Sequence, residues 1–149
     1  MAIEPARLGA DLHLLSPLDR GDDRTTGGDL RTSVRREVDL AVVAGADNLG
    51  QALLLRLLTP RGALAPLGHP EYGSRLHTLI GELNTETNRN RARLFVLEAI
   101  AQEPRIRRVL ALSVTTSRTA APTRIDITIN AEVAESGEVI NLVFPFFLA

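Results

Sequence analysis

The sequence predicts an α+β fold: a single domain in which an antiparallel sheet carries about three helices on one face and ends in a β-hairpin. Three observations lead there. Leu49 to Leu58 is an apolar run bracketed by Asp47-Asn48 and Thr59-Pro60, the start and stop signals of a helix. Thr85-Glu86 opens a second helical stretch that Pro104 closes, because the residue before a proline is pushed out of helical backbone. After it come three runs with strand signals, two alternating apolar and polar residues and the last apolar on both sides. The chain has 149 residues, 44% hydrophobic and 23% charged, which suits one domain. At that size a fold buries about 68–70% of its unfolded surface and needs no disulfide or structural metal to hold it. There is no cysteine, which excludes a disulfide scaffold, a thiol nucleophile, an iron–sulfur cluster and a thiolate zinc site.

Residues 1–33 read as an N-terminal arm, either a surface loop or frayed terminus or a segment that orders only against a partner on assembly. Asp19 to Asp29 has no apolar period and is dense in turn formers. The domain proper is expected over 34–149. Val38, Leu40 and Val42 alternate with Glu37, Asp39 and Ala41 as one half-buried strand, which Gly45 ends. The helix after it is apolar over more than one stripe, so it is buried on more than one side. A Pro- and Gly-rich loop, 63–73, leads to a short helix from Ser74 through Leu76, Leu79 and Ile80. In the next helix the first half is polar, and Leu94, Leu97, Ile100 and Ala101 are read as the apolar face. Leu110, Leu112 and Val114 share one face of the following strand. Ile125, Ile127, Ile129, Ala131 and Val133 alternate without a break in the next, the sharpest pattern in the chain. Glu135 to Glu138 makes a tight turn, and the last strand is apolar on both sides, with Ile140, Leu142, Phe144 and Phe146 on one and Val139, Val143 and Phe147 on the other. Pro145 has no N–H to give, so one edge there cannot pair fully.

All 17 basic residues are arginine, and against 18 acidic residues the net charge is −1. Binding driven by phosphate neutralisation is therefore not expected, and neither is nucleic acid as a partner. Met1 to Pro5 lacks the basic and apolar regions of a secretion signal, and no apolar run approaches the length of a membrane span, so a cytoplasmic product without membrane insertion is expected. His13, His69 and His77 have no metal-ligand spacing, and no nucleophile elbow, phosphate loop or dinucleotide fingerprint occurs. Glu71, Glu82 and Glu103 include no pair whose spacing marks a glycosidase. No catalytic, cofactor-binding or metal-binding residue is assigned, and the chain is read as not an enzyme. Two arginine groups stand out: Arg89, Arg91 and Arg93, and Arg105, Arg107 and Arg108. Neither has an interleaved aromatic, so a protein interface is the better reading than stacked single strands. Glu103-Pro104-Arg105 fixes an acid and a base at a helix-to-strand corner.

Taken in order, Asp39-Leu40-Ala41, Asn48 to Leu53, Arg56 to Leu64, His69 to Leu76 and Glu103-Pro104-Arg105 resemble the gene-25-like baseplate sheath-initiator family of contractile tails, also grouped with the phage W-type proteins. The match covers the middle half of the chain, and the later strands agree in order and length. The resemblance implies a non-enzymatic baseplate component of a phage tail, type VI secretion system or extracellular contractile injection system. It implies docking on wedge proteins through Glu103, Pro104 and Arg105, with Arg107 and Arg108 beside that interface. It further implies a sheath-binding terminal hairpin, contact with the inner tube or spike hub, and six copies per baseplate. Such a protein is cytoplasmic during assembly and then part of the particle. In the hairpin Ile140, Leu142, Phe144, Phe146 and Phe147 are the candidate sheath contacts, with strand addition supplying the affinity. Two other readings follow from the family: a lysozyme-like glycoside hydrolase, since some members have carried that label, and a standalone adaptor of related fold.

Overall fold

The computed structural model describes residues 8–14, 32–34, 38–116 and 122–148, so most of the expected arm lies outside the described residues. The fold is α+β. Two compact units divide the chain, Met1–Ala52 and Leu53–Ala149.

In the first unit, β1 (Ala10–Leu12) pairs antiparallel with β4 (Val42–Ala44), and β2 (Thr32–Val34) pairs antiparallel with β3 (Val38–Leu40). The single strand expected around Val38 to Val42 is thus two strands, separated at Ala41, whose carbonyl accepts from His13 N at 2.8 Å. Each piece follows its own partner, and burial does not fuse them: Leu40 is 40% and Val42 is 64% exposed. Helix α1 (Gly45–Leu58) begins at Gly45, whose φ of 65° no β-branched residue tolerates easily, so Asp47 sits in the first turn instead of capping it. Asn48 has a different task. Its side-chain amide donates to Leu8 O at 3.0 Å, while Gln51, one turn on, donates to Leu12 O at 2.9 Å and accepts from Leu14 N at 3.0 Å. Two buried amides on one helix face therefore tie down the backbone at the end of β1 and on either side of it.

In the second unit, β5 (Ile106–Thr116), β6 (Arg124–Val133) and β7 (Val139–Phe147) form an antiparallel sheet of order β5-β6-β7. All five inward residues of β6, from Ile125 to Val133, are buried to within 1% exposure, as the strict alternation requires. Each large aliphatic side chain so buried contributes about 1.5–3 kcal/mol relative to an exposed one. β5 departs from its expected phase, because bulges interrupt its pairing between Ile106 and Arg108 and between Val109 and Ala111. Its positions opposite the inward β6 row are Ile106, Val109, Leu112, Val114 and Thr116, so Leu110 leaves the face assigned to it and is 46% exposed.

Helix α2 (Glu86–Ile100) starts as expected: Thr85 caps it by accepting from Asn88 N at 3.2 Å. Its core face is different. Ala92, Phe95, Val96, Ala99 and Ile100 are buried, whereas Leu94 and Leu97 are 51% and 42% exposed. The polar half is not bare either, since Asn88 is buried and donates to Leu83 O. The short helix expected from Ser74 is a single 3₁₀ turn, Leu76–Leu79, which leaves two α-helices among the described residues in place of about three.

Loop 59–74 is closed at its base. Arg61 N donates to Ser74 O at 2.9 Å and Ser74 N to Thr59 O at 2.8 Å, and the buried Ser74 hydroxyl donates to Leu57 O. Gly73 lies in this neck with φ 105°, and a Cβ built there would sit 2.5 Å from Thr59 O. Gly73→Ala is therefore expected to cost about 1–3 kcal/mol, lowering the melting temperature by several degrees, as measured by thermal unfolding. An unchanged melting temperature would show that the neck opens without penalty.

Candidate functional site

The corner between α2 and β5 is built around one carboxylate. Ile100 O accepts from Glu103 N at 2.9 Å as the helix ends, and Glu103 O accepts from Ile106 N at 3.0 Å as the strand begins. Pro104 fixes the turn between them and is itself exposed. Arg105 O then accepts from Ala134 N at 2.8 Å, which fastens the corner to the far end of β6.

The Glu103 side chain is 4% exposed and is held from two directions. Arg105 Nε donates to Oε1 at 2.6 Å, and an Arg56 NH2 donates to Oε2 at 3.4 Å. Arg56, on α1, lies over the Tyr72 ring with its Cζ 4.4 Å from the ring centre. Burial alone pushes the Glu103 carboxyl upward; the hydrogen bond and charge of Arg105, with the charge of Arg56, outweigh it and hold the carboxyl below its ordinary value. The same hydrogen bond raises Arg105.

Next to this clamp is a second one. Arg107 and Arg108 are neighbours in a strand, yet both reach Glu132, at 3.2 and 2.7 Å. The bulge beside Arg107 puts both side chains on one side of the sheet, where regular pleating would separate them. Hydrogen bonds from Arg108 and Arg107 hold the Glu132 carboxyl low. The arginine side chains themselves are 64% and 68% exposed, so the corner shows solvent a guanidinium surface and keeps its carboxylates underneath.

Glu103, Pro104, Arg105, Arg107 and Arg108 are thus brought to one end of the sheet. Of the candidate residues of β7, Phe144 is fully buried, Ile140 and Phe146 are 9% and 8% exposed, and Leu142 and Phe147 are half-buried. The exposed apolar side chains on that strand are Val139 and Val143. Sequence reasoning missed Arg56, Tyr72 and Glu132. A faint signal existed for two of them, since Arg56 and the chain's single tyrosine both fall within the segments that carry the family resemblance.

The model of the family described as "Baseplate wedge protein gp25" matches residues 43–138, more than half of the chain. A crystal structure of a candidate tail lysozyme from Geobacter sulfurreducens is similar, with a TM-score of 0.58 and 29% identity over 69% of this chain and 90% of that one. No curated protein matches.

The clamp has a definite pH dependence. A carboxyl whose value in the folded chain lies below its unfolded value stabilises the fold above the unfolded value, and that contribution is lost as pH falls through the folded one. Stability is therefore expected to drop in acid, below about pH 4.3, the ordinary glutamate value. Glu103→Gln should lose about 2 kcal/mol at neutral pH, because two guanidinium groups lose their charge partner, and should show a shallower acid slope in urea unfolding. Glu132 leaves a residual slope in that variant. Identical slopes for the two proteins would remove Glu103 as the source.

Proposed function

The chain belongs to the baseplate wedge protein gp25 family, and from that premise we propose that this baseplate component docks on wedge proteins through the Glu103-Pro104-Arg105 corner and starts sheath polymerisation from the edge of its sheet. The docking half is carried by the doubly clamped carboxylate. Glu103 preorganises Arg105, so a guanidinium is presented at a fixed angle with little ordering left for the partner to impose. Pro104 stiffens the same point, and Arg107 and Arg108 widen the positive surface.

Sheath initiation is supported by the position of β7, which is an outer strand of the β5-β6-β7 sheet. An outer strand offers main-chain groups to an added strand, and affinity then needs no exposed phenylalanine. Ile140, Phe144 and Phe146 serve instead as the stiff backing of that edge, while Val139 and Val143 supply side-chain contact. Sheath subunits are the partners in this reading, the inner tube or spike hub is a further contact, and a sixfold set of copies surrounds the tail axis.

A glycosidase reading lacks support in the chemistry. Its general acid needs a raised carboxyl, and burial of Glu103 is overridden by two arginines that hold it low. Purified protein is expected to release no peptidoglycan fragments; sustained release that Glu103→Gln abolishes would reverse the assignment.

Particle assembly separates the two interfaces. Arg105→Ala should reduce incorporation into baseplates several-fold, whereas Val139→Lys with Val143→Lys should leave incorporation intact and yield baseplates without sheath, both counted by electron microscopy. Normal-length sheaths on the double lysine variant would rule out the β7 edge, and wild-type incorporation of the Arg105 variant would rule out the corner.

A further inference from the structure

Helix α2 has two apolar faces, and only the inner one is occupied by its own unit. On the outer side Asn90, Leu94, Leu97 and Ala101 follow one another at spacings of four, three and four, and all four are exposed. That is the seam spacing of a helix paired with another helix, here about three turns long. The positions flanking the seam are Arg91, Arg93 and Glu98. Glu98 is already neutralised, since Arg75 grips both of its oxygens at 2.6 Å. Arg91 and Arg93 are not: Arg91 donates to Asn88 Oδ1 at 3.2 Å, and Arg93 to Asn90 Oδ1 and to Val114 O, all neutral acceptors. The rim of the seam therefore carries uncompensated positive charge.

We propose that the outer face of α2 binds an amphipathic helix of a partner protein, with apolar residues against Leu94 and Leu97 and carboxylates opposite Arg91 and Arg93. Charge selects this occupant. A second copy of the chain would bring the same positive rim to the contact, and like charges across a helix pair oppose association. An acidic rim supplies what Arg91 and Arg93 lack, and their planar donors suit carboxylates in particular. Asn90, polar at a seam position, fixes one register for the pair. The seam runs to Ala101, two residues before Glu103, so the bound helix would lie along the approach to the arginine corner.

Chemical-shift mapping on the full chain tests this with two synthetic helical peptides, both leucine at the seam, one flanked by glutamate and the other by lysine. The glutamate peptide should bind and move the Leu94 and Leu97 methyl signals. Arg91→Glu with Arg93→Glu should weaken it by roughly tenfold and should strengthen the lysine peptide, a gain that misfolding cannot produce. Leu97→Asp should abolish binding of the glutamate peptide with the spectrum otherwise retained. The proposal fails if neither peptide binds, if both bind the wild-type chain alike, if the shifts map away from α2, or if the chain instead pairs with itself through this face.

Discussion

The Glu103 carboxylate is the constraint on which the second unit turns. One buried negative charge is shared by Arg56 from the end of α1 and Arg105 from the start of β5, and Arg56 is in turn supported by Tyr72 from the loop that Gly73 closes. Three chain segments separated in sequence, the end of α1, the loop carrying Tyr72 and the 103–105 corner, are thereby joined around one group. A buried ion pair of this sort adds little net stability beyond a well-packed apolar substitute, because desolvation offsets much of its attraction. What it does supply is direction. Arg56 gives up one donor to the arrangement, its Nε being buried without a hydrogen-bond partner while the ring face of Tyr72 covers the guanidinium.

The bulges of β5 extend the same logic into the sheet. Without them, Arg107 and Arg108 would point to opposite faces, and one would meet the aliphatic row of β6. With them, both cations converge on Glu132 and the inward row stays apolar. Two irregularities within a few residues thus resolve a conflict between packing below the sheet and charge above it. The corner ends with both carboxylates covered and several guanidinium groups outward, a surface formed by position in a chain whose total charge is close to neutral.

Where local chemistry decided the outcome, the sequence was readable. The Thr85 cap, the unbroken alternation of β6, the turn before β7 and the corner at Pro104 are each set by neighbouring residues. Where long-range partners decided it, the sequence misled. Leu94 and Leu97 have the same apolar signal as Phe95 and Val96, and only the sheet, packed against one side, determines which pair is covered. The bulge at Leu110 depends on register with β6. Asn48 and Gln51 look like cap and filler until the β1 backbone is placed against them. The candidate corner was legible as a place but not as a mechanism, because Tyr72 and Arg56 join it only through folding.

The arginines of this chain are also not equivalent. Within the fold Arg91 and Arg93 donate to neutral oxygens, and for folding alone an ammonium would serve nearly as well there. Arg56 cannot be replaced so simply: its flat group must lie on an aromatic ring and donate sideways to a carboxylate, which a tetrahedral ammonium does poorly. Drift in base composition that converts arginine codons to lysine codons would therefore pass over much of the surface unopposed and stop at Arg56 and Arg105. The uniform arginine usage of the sequence conceals two classes of residue, one that the fold could exchange and one that its geometry holds in place.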